Sequence, residues 1–146
     1  MNVLDLVQYR LRLAQGFLTE AEQDFTLERW RSCVDNSQLV VENAGKSVLA
    51  LFGIAPKTHD PAQQIAQILR THVLSTETRE RIQQLLPELL ALGSQEHFLT
   101  DYGDEVSLKL PWELFDKTAA LDALQAARRS EESASGIIQA WQGSGK

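Results

Sequence analysis

The sequence is poor in cysteine and has no long hydrophobic run. Its single cysteine, Cys33, excludes a disulfide within the chain and is typical of a reducing compartment. No apolar run approaches the roughly 20 residues that a membrane-spanning helix needs. Asp5 interrupts the apolar residues near the N-terminus, so the start does not resemble a signal peptide. These absences predict a cytoplasmic protein without a membrane partner.

Positive charge is also scarce. The 146 residues include 14 lysines and arginines against 20 aspartates and glutamates, which gives a formal net charge of −6. Nucleic-acid surfaces are built from cations that neutralise phosphates, so a nucleic-acid partner is not expected. Glycine motifs that cradle phosphates are absent, and the three histidines are not spaced as zinc ligands. The sequence therefore predicts no cofactor and no metal.

The apolar residues that are present recur with the period of an α-helix. In the first 25 residues they alternate at spacings of three and four, which predicts one long helix. The same spacing predicts a second helix from about Trp30 to Gly53, with Pro56 preventing its continuation. Thr26 is predicted to cap the second helix, and Phe25 is predicted to pack on Trp30. The first two helices should therefore form a long antiparallel hairpin.

Local signals predict three more helices. Asp60 as the N-cap residue and Pro61 at the first helical position indicate the start of the third. The fourth should begin near Ser75, and Pro87 should kink or divide it. Asp116 is predicted to cap the last helix.

The stretch between the fourth and the last helix has a different character. Residues 93–115 lack a helical period, and a loop of this length is usually functional or mobile. The fold predicted for the whole chain is an all-α, up-and-down bundle of about five helices. We expect a single domain over residues 1–142 and a frayed tail over residues 143–146.

Four arginines cluster in sequence around the junction of the first two helices. They form either a basic edge or, because acidic residues alternate with them, a mixed-charge face exposed to solvent. The four are Arg10, Arg12, Arg29 and Arg31.

One segment of the chain resembles a known family. The second helix and the turn after it carry a glutamine, a glutamate-to-lysine run, a glycine at the helix end and a Thr-His-Asp turn. The residues concerned are Gln38, Glu42, Asn43, Lys46, Leu49, Gly53, Thr58, His59 and Asp60. This pattern resembles the HEPN domain (higher eukaryotes and prokaryotes nucleotide-binding). The resemblance extends over about residues 3–141, and its specific part runs from Glu42 to Asp60.

The resemblance implies a helical bundle that pairs as a homodimer. Some members of the family are ribonuclease toxins that act beside a minimal nucleotidyltransferase antitoxin, and others bind nucleotides or proteins. The ribonuclease branch carries an arginine followed, after about four to six residues, by a histidine. No arginine stands at that spacing before His59, His72 or His97. The resemblance therefore implies a non-catalytic module, and a toxin-type ribonuclease that uses the Thr58–Asp60 turn is the alternative.

The same segment supplies the candidate ligand-binding residues. They are Glu42, Asn43 and Lys46 on the second helix and Thr58, His59 and Asp60 in the turn. Asn43 and Lys46 share a helix face, and the free N–H groups at the start of the third helix favour a phosphate. Alternatively, Lys46 only pairs with Glu42, and the turn only caps a helix. The predicted partners are a second copy of the chain, a nucleotide and a nucleotidyltransferase.

Overall fold

The structure, a computed structural model, describes residues 2–56, 61–92 and 102–143. These ranges contain six helices and no strand, which confirms the predicted all-α bundle with one helix more than expected. The helices are α1 (Val3–Thr26), α2 (Trp30–Leu51), α3 (Ala62–Thr71), α4 (Thr76–Ala91), α5 (Pro111–Leu114) and α6 (Lys117–Gly143). No helix in the described ranges is long and apolar enough to cross a membrane.

The first helix begins with a capping box. The Asn2 side chain accepts a hydrogen bond from the Asp5 N–H at 2.9 Å, and the Asp5 carboxylate accepts one from the Asn2 N–H at 3.2 Å. Two N–H groups that a helix start leaves unpaired are thereby satisfied. Beyond this start, the predicted stripe of α1 is buried at Val7, Leu11, Ala14 and Ala21.

The turn between α1 and α2 differs from the prediction. Thr26 is the last residue of α1, and its hydroxyl donates to the Glu22 carbonyl at 3.1 Å. It therefore does not cap α2, whose N-cap residue is Arg29. The predicted contact between Phe25 and Trp30 does form, with ring centroids 5.2 Å apart. This contact lies at the turn of the predicted antiparallel hairpin, in which α1 and α2 pack closely together.

Helix α2 lies at the centre of the bundle and contacts every other described helix. Near its middle and C-terminal end, Val41, Val48 and Leu49 belong to the main core, which they form with α1, α3, α4 and α6. Near its N-terminal end, Cys33 and Val34 pack in a second cluster against α1 and α6. The buried side chains of α2 therefore tie both ends of the bundle together.

Helix α3 begins one residue later than predicted, whereas α4 begins at the predicted position. The first hydrogen bond of α3 runs from the Ile65 N–H to the Pro61 carbonyl at 3.0 Å, so Pro61 is the N-cap residue and not the first helical residue. The predicted cap, Asp60, lies outside the described residues. Helix α4 begins next to Ser75 as predicted, and the Ser75 hydroxyl caps it by accepting from the Thr78 N–H at 3.1 Å. Pro87 does not divide α4, which is continuous through it.

The described part of the 93–115 stretch is short and locally ordered by hydrogen bonds. Asp104 and Lys109 exchange backbone hydrogen bonds of 2.9 and 3.0 Å. The one-turn helix α5 follows, and the Glu113 side chain accepts from the Leu110 N–H at its start. Asp116 then caps α6 as predicted, accepting from the Ala119 N–H at 2.9 Å. Residues 93–101 lie outside the described residues.

Candidate functional site

The charged candidates on α2 bind each other. The Lys46 ammonium lies 2.9 Å from a Glu42 carboxylate oxygen, and the two side chains are only 12% and 15% exposed. Helix periodicity brings residues four apart together, and the neighbouring helices shield the pair from water. A ligand at this position would therefore meet a cation that already has a carboxylate partner.

Asn43 does not join this pair. Its side chain is buried, and its amide nitrogen donates to the Leu39 carbonyl at 2.9 Å. The structure thus separates Asn43 from Lys46, although the two residues are only three positions apart.

The other three candidates, Thr58, His59 and Asp60, lie outside the described residues. The structure does place the residue that follows them. Pro61 packs against Gly45 so closely that a Cβ built on Gly45 would lie 2.7 Å from the proline Cγ. The start of α3 therefore reaches α2 at the position adjacent to Lys46.

His72 has a different environment. Its ring packs on the Phe52 ring at a centroid distance of 5.1 Å, and its Nδ1 lies 3.0 Å from the Thr71 hydroxyl. Among the residues that the structure describes, no three His, Cys, Asp or Glu side chains gather as metal ligands.

A second candidate site lies at the opposite end of α2. An open cavity of about 560 Å³, which we call the α2 cleft, separates the α1–α2 turn from α5. Its volume falls within the usual range for small-molecule pockets. The walls combine charged and aromatic side chains, namely Glu28, Arg29, Trp30, Arg31, Trp112 and Phe115.

The cationic side chains of the cleft stand where helix electrostatics disfavours them. Arg29 is the N-cap residue of α2 and Arg31 is in its first turn, so both lie at the positive end of the helix dipole. The Arg29 side chain makes no capping hydrogen bond, and no acidic residue occupies the first turn of α2. The Arg31 guanidinium lies over the indole of Trp112, 5.6 Å from the ring centroid. The cleft thus holds two guanidinium groups and the Glu28 carboxylate next to an exposed aromatic ring.

Sequence reasoning found only half of this cleft. The sequence groups the two arginines in a cluster, but the alternation with acidic residues favours a mixed-charge face exposed to solvent. Trp112 and Phe115 belong to the stretch without helical period, and no local spacing links them to α2. A usable signal was the tryptophan directly after Pro111, because a bulky aromatic residue in an irregular segment needs either a packing or a binding explanation.

Comparisons with known proteins agree on the fold. The model of the HEPN domain family matches residues 7–134. Among solved structures, the chain is similar to the protein TT1696 from Thermus thermophilus, with a TM-score of 0.67 and 16% sequence identity. The similarity covers 88% of this chain and 95% of the other. No curated protein matches the sequence significantly.

Proposed function

Because the chain belongs to the HEPN domain family, we propose that it is a non-catalytic, cytoplasmic HEPN module. It forms a homodimer and binds a nucleotide or a partner protein such as a minimal nucleotidyltransferase. The single structural observation that carries this proposal is an apolar surface at the start of α1.

This surface, the α1 patch, consists of Val3, Leu6 and Tyr9, which are exposed and which, at spacings of three residues, lie on one face of α1. It borders a groove of about 370 Å³ between the start of α1 and the end of α2. Clusters of exposed apolar side chains mark interaction surfaces, and small proteins most often pair with two-fold symmetry. A second copy, docked patch to patch, would remove these side chains from water.

Sedimentation at micromolar concentration tests the dimer. We expect a species of twice the 16.4 kDa chain mass. Tyr9→Glu should shift it to the monomer by placing a charge in the patch. Leu90→Glu is the matched control, because Leu90 is an exposed apolar residue on α4, outside the patch. A wild-type chain that sediments only as a monomer contradicts the homodimer.

The nucleotide is assigned to the region around Lys46, where Pro61 brings the start of α3 against α2. Glu42 holds the Lys46 ammonium in one position, and a phosphate would compete with this carboxylate. Asn43, which is buried three positions before Lys46 on α2, belongs to this proposed site. Thr58, His59 and Asp60 contribute to it from the adjoining turn. The N–H groups at the start of α3 are suited to a phosphate.

Calorimetric titration with ATP and with GTP tests this assignment. We expect weak binding that is reduced in Lys46→Ala and in His59→Ala, without release of phosphate. Arg70→Ala removes an exposed cation from the other end of α3 and should change nothing. Absence of heat at millimolar nucleotide would leave only the protein-binding part of the proposal.

The non-catalytic part rests on the missing arginine-to-histidine spacing, and incubation with RNA tests it. We expect no cleavage. Cleavage that is lost in His59→Ala would establish the toxin-type ribonuclease instead. Co-purification with a nucleotidyltransferase encoded by a neighbouring gene would identify the partner protein.

A further inference from the structure

The α2 cleft lies far from the region around Lys46. Arg31 and Lys46 are fifteen positions apart on α2, which corresponds to about 22 Å along the helix axis. The two regions therefore cannot hold the same small ligand. The proposed function does not explain why the cleft carries its particular side chains.

The placement of cations is the first unexplained feature. Charges are normally distributed so that acidic residues stand at helix N-termini, and two arginines at such an end oppose the dipole. Natural proteins break local rules of this kind mostly where function requires it. Among the described residues, no side chain is paired with the Arg29 guanidinium, which is exposed at the cleft.

The exposed aromatic ring is the second unexplained feature. The Trp112 side chain is 69% exposed, although Phe115, three positions later, is buried in the core cluster at this end of the bundle. The residue directly after α5 is therefore anchored in the core, whereas the Trp112 indole on α5 remains exposed at the cleft. Arg31 covers part of this ring, and such cation–π contacts orient both groups.

We propose that the α2 cleft binds a small molecule in which a planar ring carries an anionic group. The ring stacks on the Trp112 indole, and the anion pairs with the Arg29 guanidinium. Stacking of a planar ring on an aromatic side chain is favourable, and so is a charge-assisted hydrogen bond from arginine to a carboxylate or phosphate. Two classes of ligand combine a planar ring with an anion in this way, namely a nucleoside monophosphate and a free aromatic carboxylic acid.

Tryptophan fluorescence of the whole chain provides the readout, because two of the three tryptophans line the cleft. The third, Trp141, lies at the other end of the bundle against Phe52, with ring centroids 4.6 Å apart. AMP and N-acetylphenylalanine are the two probes. Adenosine lacks the anion, and inorganic phosphate lacks the ring.

We expect saturable quenching by at least one probe, with an affinity roughly tenfold or more above that of adenosine and of inorganic phosphate. Tighter binding of AMP identifies a nucleoside phosphate as the class of ligand, and tighter binding of N-acetylphenylalanine identifies an aromatic acid. Absence of saturable quenching by both probes up to roughly 10 mM overturns the proposal. Equal binding of adenosine or of phosphate overturns it too.

Substitutions locate the binding. Arg29→Gln should weaken the better probe by roughly fivefold or more, which is the loss of one charge-assisted contact. Arg12→Gln removes an exposed arginine of α1 outside the cleft and should leave the affinity unchanged. Equal weakening in both variants shows a general effect of net charge and overturns the proposal.

Two further variants separate this site from the remainder of the molecule. Trp112→Leu should abolish the quenching and the calorimetric signal of the probe, whereas Trp141→Phe should keep both. Lys46→Ala should leave the probe affinity unchanged. If Lys46→Ala removes AMP binding and Arg29→Gln does not, AMP binds only in the region of the proposed function, and the cleft proposal fails.

Discussion

Gly45 on α2 and Pro61 at the start of α3 are packed without room for a methyl group between them. A Cβ built on Gly45 would lie 2.7 Å from the Pro61 Cγ and 2.8 Å from a Leu89 methyl carbon. This close approach places the start of α3 against α2 and so positions the end of the segment that carries Thr58, His59 and Asp60.

Gly45→Ala should therefore destabilise the protein. Alanine favours the helix by about 0.5–1 kcal/mol over glycine, but overpacking in a core costs about 1–3 kcal/mol. The Leu89 side chain can rotate away, whereas the proline ring cannot, so we expect a net loss of about 1–2 kcal/mol. Urea unfolding of the variant and the wild type measures this difference.

Gly16 provides the matched control. It also lies inside a long helix, but it is exposed, and a Cβ built there meets no atom within 4 Å. Gly16→Ala should therefore stabilise the protein by about 0.5–1 kcal/mol. A stabilising effect of similar size in Gly45→Ala would show that α3 is not fixed against α2 as described.

Because the Cys33 thiol is buried, we expect the folded protein to lose stability at alkaline pH. Burial raises the pKa of this thiol from its ordinary value of 9.0 to about 11, and the Sγ lies 3.7 Å from the Ala120 carbonyl oxygen. The folded state favours the neutral thiol, so this contribution to stability is complete below pH 9 and is lost as pH rises toward 11.

Comparison with Cys33→Ala isolates this contribution from other titrating groups. The wild-type free energy of unfolding should fall relative to that of the variant by at most about 1.4 kcal/mol per pH unit between pH 9 and 11. Below pH 9 the difference between the two proteins should be constant. Parallel stability profiles across the whole range would contradict a buried, neutral thiol.

The ion pair between Glu42 and Lys46 should be stronger than an ordinary surface pair. Exposed pairs at this spacing contribute about 0.3–0.5 kcal/mol, but here both side chains are largely shielded from water. A double-mutant cycle with Glu42→Gln and Lys46→Met should give a coupling energy of about 1 kcal/mol. The cycle is needed because Glu42 also has other interactions.

Addition of millimolar ATP or GTP extends this measurement. If a phosphate competes with Glu42 for Lys46, the coupling energy should decrease in the presence of the nucleotide. A coupling energy that does not change with nucleotide argues that the pair is purely structural.

Helices and their buried faces were predictable because they depend on local periodicity. The stripe of α1 and the glycine end of α2 follow from side-chain spacing and from backbone preference alone. Gly53 indeed has a positive φ of 71°, which suits a glycine after a helix. Capping was less predictable, since a threonine near a helix end can bond backward within its own helix, as Thr26 does to Glu22.

The candidate site was less predictable because it depends on tertiary contacts. Asn43 and Lys46 share a face of an isolated helix, but α2 is surrounded, and the buried Asn43 amide is used by the Leu39 carbonyl. The α2 cleft requires contact between Arg31 and Trp112, which are far apart in sequence. Neither residue type nor spacing reports such a contact.

The turn that carries Arg29 is held by a buried carboxylate. Asp24 accepts a hydrogen bond from the Asn36 amide at 2.7 Å, and its own carbonyl accepts from the Arg29 N–H at 2.8 Å. Asn36→Ala would leave the Asp24 carboxylate, only 7% exposed, without this donor. Hydrogen bonds to charged groups contribute about 1.5–3 kcal/mol, so we expect a loss of this size in urea unfolding.

A double variant distinguishes a lost hydrogen bond from lost packing. Removal of both partners in Asp24→Ala/Asn36→Ala eliminates the buried charge together with its donor, so its loss of stability should be smaller than the sum of the two single losses. Strict additivity would contradict a specific bond between these side chains. If the bond also sets the position of Arg29, Asn36→Ala should weaken the anionic probes of the α2 cleft while leaving the pairing of Lys46 with Glu42 unchanged.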